Sequence, residues 1–253
     1  MTFPFYFNLF GLHLHPHPVM EVLAYTGGFQ LYLLLRRRNR FPHAQVPLEQ
    51  NAWLLVGCIF GALAGSKLLA FAESFRHYWA MRDIPLAMLG GKTIVGGLLG
   101  GWAGVELAKK RLGITHSTGD AFTLPLILGI AVGRVGCFLT GLSDHTYGAY
   151  TRMPWAIDFG DGPRHPTQLY EIAFLILLGL CLALRARTPY LNGQLFRLFM
   201  LGYMLWRFFV EFLKPRDQIV GPLSAIQIAS AIGAAAAFMQ LRMSTRPRPP
   251  TSA

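Results

Sequence analysis

Apolar residues in this chain come in long, nearly unbroken runs separated by short polar stretches. A helix that crosses a bilayer needs roughly 20 mostly apolar residues in succession. Seven runs approach that length, at approximately 18–35, 52–73, 92–108, 121–141, 168–186, 194–213 and 222–241. The larger polar connections, about 74–91, 142–167 and 214–221, leave no room for a separate soluble domain. The pattern predicts an all-α integral membrane protein of about seven transmembrane helices. Residues 1–241 form one transmembrane domain, and 242–253 are a basic Pro/Arg tail expected to be disordered.

The placement of charge gives this bundle a direction. Basic clusters follow the first, third, fifth and seventh runs: RRRNR (36–40), KKR (109–111), RAR (185–187) and RMSTRPRPP (242–250). If the helices alternate, all four lie on one side. Lys/Arg-rich loops mark the cytoplasmic face, so the N-terminus is expected outside and the C-terminus in the cytoplasm. Residues 1–18 hold no Lys or Arg, so no cleavable signal peptide is expected. The net charge of +11 is thereby explained without a nucleic-acid partner. Only 14% of residues are charged, against about 25% in soluble chains, and the mean hydropathy is +0.39. Cys58, Cys137 and Cys181 all lie inside apolar runs, which reads as small buried hydrophobes rather than a disulfide framework or a metal-ligand spacing.

Ionisable residues inside spans are costly and mark functional sites. Arg134 lies in the outer half of the fourth run. Arg207 and Glu211 lie one turn apart in the sixth. Tyr170 and Glu171 open the fifth and Lys92 the third, while Lys67 and Glu106 lie in the second and third. A guanidinium fork binds two phosphate oxygens at once, and phospholipid headgroups are the nearest phosphates. The alternative is an Arg207–Glu211 helix pair with Arg134 snorkelling to the surface. VGGLLGGWAG (95–104) allows close helix packing, with a lipid headgroup site open to the pair Gly96–Gly97. HLHPHP (13–18) reads as a surface turn before the first helix. No GxSxG elbow, HExxH or P-loop occurs, so an enzyme with its own serine or metal-bound nucleophile is not expected.

The runs GRVGCFLTG, MPWAIDFGDGPRHPTQLYE, GYMLWRFFVEFLK and VGGLLG together resemble the prolipoprotein diacylglyceryl transferase family, in order and spacing, across most of residues 10–235. The resemblance implies seven spans in the orientation given above, in a bacterial cytoplasmic (inner) membrane. It implies transfer of a diacylglyceryl group from phosphatidylglycerol to the cysteine thiol of a prolipoprotein, engaged through its signal peptide among membrane lipids. Glycerol phosphate leaves, and no metal or organic cofactor is needed. By the same resemblance Arg134 and Arg207 are the catalytic arginines. Gly96, Gly97, Gly141, His165, Gln168, Tyr170, Glu171 and Glu211 fall on substrate-binding positions. The chain departs from the family where protons are handled. Val95 stands in place of a histidine, Cys137 in place of an asparagine and Leu142 in place of a glutamate. His17 and Tyr25 stand nearest to a tyrosine of the first helix. Lys92, Asp144, His145 or Glu171 are the available substitutes, and the inserted SDHTYG (143–148) makes His145 the expected base, with a surface loop as the alternative. Two rivals stay open: a divergent transferase with another acceptor, and a non-catalytic lipid-binding or transport protein.

Overall fold

The computed structural model describes residues 3–9, 11–80, 91–215 and 221–244. The tail from 245 and much of the loops expected at 74–91 and 214–221 lie outside the described residues. Among the described residues, seven long helices occupy the places of the seven apolar runs: α1 (Pro16–Arg37), α2 (Leu48–Glu73), α4 (Ile94–Leu112), α5 (Asp120–Thr140), α6 (Thr167–Arg185), α7 (Gln194–Val210) and α8 (Ala225–Ser244). A short α3 (Phe75–Ala80) follows α2. Four of them, α2, α5, α6 and α8, are long and apolar enough to cross a membrane by themselves. The other three carry more polar positions or are shorter, as with the 17 residues of α7.

Surface and interior are inverted relative to a soluble protein. Trp53, Leu55, Ile59, Phe60, Leu63 and Leu68 of α2 are exposed, while Asp120, Arg134, Glu171, Arg207 and Gln227 are buried. Apolar side chains facing outward cost little in hydrocarbon, and charged ones there would cost several kcal/mol each. The chain is therefore an all-α membrane protein.

Packing is closest between α2 and α4. Gly57, Gly61 and Gly65 on one helix face Gly96, Gly100 and Gly104 on the other, each set spaced by four. A Cβ on Gly100 would come within 2.2 Å of the Gly61 carbonyl oxygen, and one on Gly96 within 2.3 Å of that of Gly65. These contacts are backbone against backbone, which only glycine permits. Gly96 thus packs directly against the α2 backbone. Gly97 points to a looser contact with Ala62 and Ser66.

Elsewhere, α1 packs along α5, with Gly28 against the Pro125 carbonyl. α5 packs on α6, and α7 on α8. Buried Asp120 joins one end of the bundle: its carboxylate accepts hydrogen bonds from Gly193 N (2.7 Å) and Phe196 N (3.0 Å), where α7 begins. His43 Nε2 approaches the same carboxylate at 3.1 Å.

At the opposite end two small antiparallel hairpins cover the helix termini. β1 (Phe7–Leu9) pairs with β2 (Leu12–Leu14), Asn8 opposite His13. β3 (Ile157–Asp158) pairs with β4 (Pro163–Arg164). The turn of the second is closed by the Asp158 carboxylate, which accepts from Gly160 N and Gly162 N at 2.8 and 2.9 Å. These backbone donors hold the Asp158 carboxyl below the usual range. Arg164 then anchors the loop. It forks onto Asp161 at 2.8 and 2.6 Å, donates to the Gly148 carbonyl, and lies over the rings of Tyr147 and Tyr150.

Candidate active site

The hairpin end of the bundle gathers the N-terminal ends of α1 and α6 and the C-terminal ends of α5 and α7, and with them Arg134, Glu171, Arg207 and Glu211. Arg134 lies two turns before the end of α5 and Arg207 in the last turn of α7; both are 4% exposed. Glu171, in the second turn of α6 and 1% exposed, lies between them. Its Oε2 is 3.0 Å from Arg134 Nε and 3.2 Å from Arg207 NH1, and its Oε1 accepts from the Tyr203 hydroxyl at 2.6 Å. Arg207 NH2 donates to Glu211 at 2.8 Å. Among the described residues, two guanidinium groups thus meet two carboxylates.

Pairing of this kind is what keeps buried ions tolerable. It does not use every donor. Arg207 Nε is buried without a hydrogen-bond acceptor. Arg134 Nε also lacks one, because Glu171 lies near it but off the line of its N–H. Both are donors that an entering phosphate oxygen can take up. Lys214 follows directly after Glu211 and its turn. Desolvation, then the neighbouring Arg207 charge, pushes its ammonium down to about 7.

Four residues singled out in the sequence therefore meet in space: Arg134, Glu171, Arg207 and Glu211. Glu171 has a larger part than the sequence suggests, since it bridges both arginines. The Arg207–Glu211 helix pair is also present, so the two sequence readings of Arg207 hold together rather than exclude each other.

The remaining candidates are placed differently. Lys92 is exposed and pairs with Glu21 on α1 at 3.3 Å, and the Glu21 carboxylate in turn lies 3.9 Å from His17 Nε2. Gly141 has φ +70, and a Cβ there would meet Phe3 at 2.7 Å. It is covered by the N-terminal segment, whose Phe5 N donates to the Leu139 carbonyl. His165 and Tyr170 pair with each other (Nδ1 to hydroxyl 3.1 Å), and Trp155 Nε1 donates to the same hydroxyl at 2.7 Å. They tie the loop to α6. Gln168 is buried and donates to Thr146 Oγ1 at 3.3 Å.

His145 does not join the arginines. The Gly141–Asp144 turn ends with His145 at φ +55, its ring exposed and near Tyr147. Asp144 instead approaches His17 of α1, with 3.1 Å between Oδ1 and Nδ1. This revises the reading of HLHPHP as a surface turn. His13 lies in β2, His15 caps α1 by accepting from His17 N, and His17 enters the site. The ligand atoms of His17, Cys137 and Asp144 all lie within 4.8 Å of one another. Arg134 NH1 points at Cys137 Sγ from 3.8 Å. His17 of α1 thus joins Cys137 and Asp144, more than a hundred positions later in the chain, beside the arginine network. The sequence marks each of them separately, His17 and Cys137 where the family carries other residues and Asp144 as a substitute base, but not that the three meet.

Comparison with known proteins shows the family. The model of the prolipoprotein diacylglyceryl transferase family matches residues 4–243. The phosphatidylglycerol–prolipoprotein diacylglyceryl transferases of Bordetella parapertussis and Bordetella bronchiseptica are each 36% identical over 215 residues, covering 80% of this chain and 80% of theirs. The enzyme of the same description from Pseudoalteromonas atlantica is 32% identical over 227 residues, covering 86% and 78%. With a family match over nearly the whole length, the chain belongs to the prolipoprotein diacylglyceryl transferase family.

Proposed function

We propose that this protein transfers a diacylglyceryl group from phosphatidylglycerol to the lipobox cysteine of a prolipoprotein, releasing glycerol phosphate. The observation that carries the reading is the buried Arg134–Glu171–Arg207 network at the hairpin end of the bundle. The names of the curated relatives supply the donor and the acceptor class.

The chemistry follows from the charges. Breaking the bond between the glyceryl carbon and its phosphate oxygen leaves a phosphate monoester, which gains charge as the bond lengthens. Two guanidinium groups fixed in a low-dielectric site favour that charge more in the transition state than in the bound lipid. Glu171 and Tyr203 hold the pair in place before lipid arrives, so little reorganisation is needed at the moment of reaction. The attacking sulfur belongs to the acceptor. The protein's task is to favour its thiolate, since a free thiol has a pKa of about 8.5. His17, Cys137 and Asp144 are the groups beside Arg134 that bear on this task.

Seven spans are part of the proposal, with the N-terminus outside, the C-terminal tail cytoplasmic and the site at the outer leaflet of a bacterial cytoplasmic membrane. The four basic clusters support this orientation. A cysteine introduced in the 155–163 loop is expected to react with an impermeant reagent added from outside, and one at 109–111 is expected not to; the reverse pattern overturns the orientation.

Function itself is tested in cells depleted of their own transferase. The gene is expected to restore lipoprotein maturation. The substitutions at Val95 and Cys137 favour one second reading, a transferase of this fold with a different acceptor. Failure to restore maturation, with the protein inserted and folded, would favour that reading.

A further inference from the structure

His17, Cys137 and Asp144 offer an imidazole, a thiol and a carboxylate. Their arrangement distinguishes two uses. In a nucleophile–histidine–carboxylate relay the two outer groups sit on opposite ring nitrogens, so they stand on the order of 7 Å apart. Here all three ligand atoms lie within 4.8 Å of one another. That is a triangle around a common point, not a line. Donors around a tetrahedral zinc-sized ion, with bonds of roughly 2.0–2.3 Å, are separated by about 3.3–3.7 Å. His17 Nδ1 and Asp144 Oδ1 are 3.1 Å apart, yet the nitrogen is buried and no hydrogen bond joins it to the carboxylate.

The surroundings match what outer groups do at metal sites, where they orient the ligands. Asp144 Oδ2 accepts from Thr146 Oγ1 at 2.5 Å, and Thr146 Oγ1 accepts from Gln168 Nε2, which leaves Oδ1 to face His17. Glu21 Oε2 lies 3.9 Å from His17 Nε2, the ring nitrogen not facing Asp144. Arg134 NH1 beside Cys137 favours the thiolate. A thiolate and a carboxylate together neutralise a dication, so the neighbouring Arg134 meets no net positive charge.

We propose that His17, Cys137 and Asp144 bind a divalent transition-metal ion of the zinc class, with a fourth position open to the acceptor's cysteine sulfur. Mixed nitrogen, sulfur and oxygen donors select this class over magnesium or calcium. Three protein ligands with one open position is the arrangement of catalytic rather than structural zinc. This inference deepens the transferase reading and rests on it for the identity of the fourth ligand. It departs from the expectation that no metal is needed. The coordinated thiol loses its proton to solvent. The sulfur electron pair forms the bond to the glyceryl carbon. The carbon–oxygen bond breaks with its pair retained by the phosphate oxygen, which leaves as glycerol phosphate. The ion keeps its charge throughout.

The test uses the purified full chain in detergent with phosphatidylglycerol, and cobalt(II) as the probe. One equivalent is expected to bind and to give a sulfur-to-cobalt charge-transfer band. The band should persist when Cys58 and Cys181 are both changed to Ser and vanish in Cys137→Asn, which installs the residue the family carries at that position. Thr146→Val should weaken cobalt affinity roughly 10–100-fold. A lipobox peptide should strengthen the band, and its Cys-to-Ser version should not. Failure of cobalt to bind stoichiometrically, or a band that survives Cys137→Asn, overturns the site even if transfer proceeds. An unchanged band with the cysteine peptide overturns the open position. A Cys137-dependent band in a protein that transfers nothing upholds the metal site and sinks the reaction assigned to it.

Discussion

Arg134→Ala is expected to lower diacylglyceryl transfer by at least about 10²–10³-fold, the loss typical when one fixed charge-stabilising donor is removed. The protein should remain folded in the membrane. Glu171 would keep Arg207 at 3.2 Å and the Tyr203 hydroxyl at 2.6 Å, so no carboxylate is left alone in the interior. Arg134→Lys should recover little of the loss. An ammonium restores charge but not the planar set of donors that takes two phosphate oxygens, and it cannot at once reach Glu171 and lie over Cys137. Transfer rates in purified protein, beside a thermal melt in the same detergent, check this. A variant with wild-type turnover would remove Arg134 from the chemistry.

Glu171→Ala is expected to act in the opposite way, on the fold first. It would leave two buried guanidinium groups with Glu211 as the remaining carboxylate of the network. Breaking a buried pair by removing one partner costs about 3–5 kcal/mol. The whole stability of an ordinary domain is only about 5–15 kcal/mol, so this is a large share of it. The expected result is a large fall in melting temperature and in the yield of inserted protein. Glu171→Gln, which keeps the shape and an acceptor but not the charge, should fall between alanine and wild type. A Glu171→Ala protein that melts like wild type would mean that the arginines do not depend on Glu171.

The long helices were legible because hydrophobic run length is a local property. The run at 18–35 became Pro16–Arg37, and that at 222–241 became Ala225–Ser244. Arg134 and Arg207 were legible for a related reason, since charge inside an apolar run stands out wherever the helices go. Partners were harder to read. Glu171 looked like the mouth of a loop because its helix had just begun, and only the packing of α6 on α5 and α7 brings it between the arginines. Sequence proximity misled at Asp144 and His145. The two are neighbours, but the turn ends in a left-handed residue that leaves His145 exposed while Asp144 meets a histidine more than a hundred positions earlier. The glycines of VGGLLG illustrate the same limit. Their density announced close approach, but not that Gly96 would meet a helix backbone.

The central claim is that this bundle moves a whole diacylglyceryl group onto sulfur, with Arg134 and Arg207 holding the phosphate that leaves. The most direct measurement combines purified protein, phosphatidylglycerol and a lipobox peptide, followed by mass analysis of the peptide and assay of the released headgroup. The account predicts a peptide heavier by one diacylglyceryl unit on its cysteine, an equal amount of glycerol phosphate, and neither product with Arg134→Ala. An unmodified peptide, or a modified one formed equally well by Arg134→Ala, would contradict it.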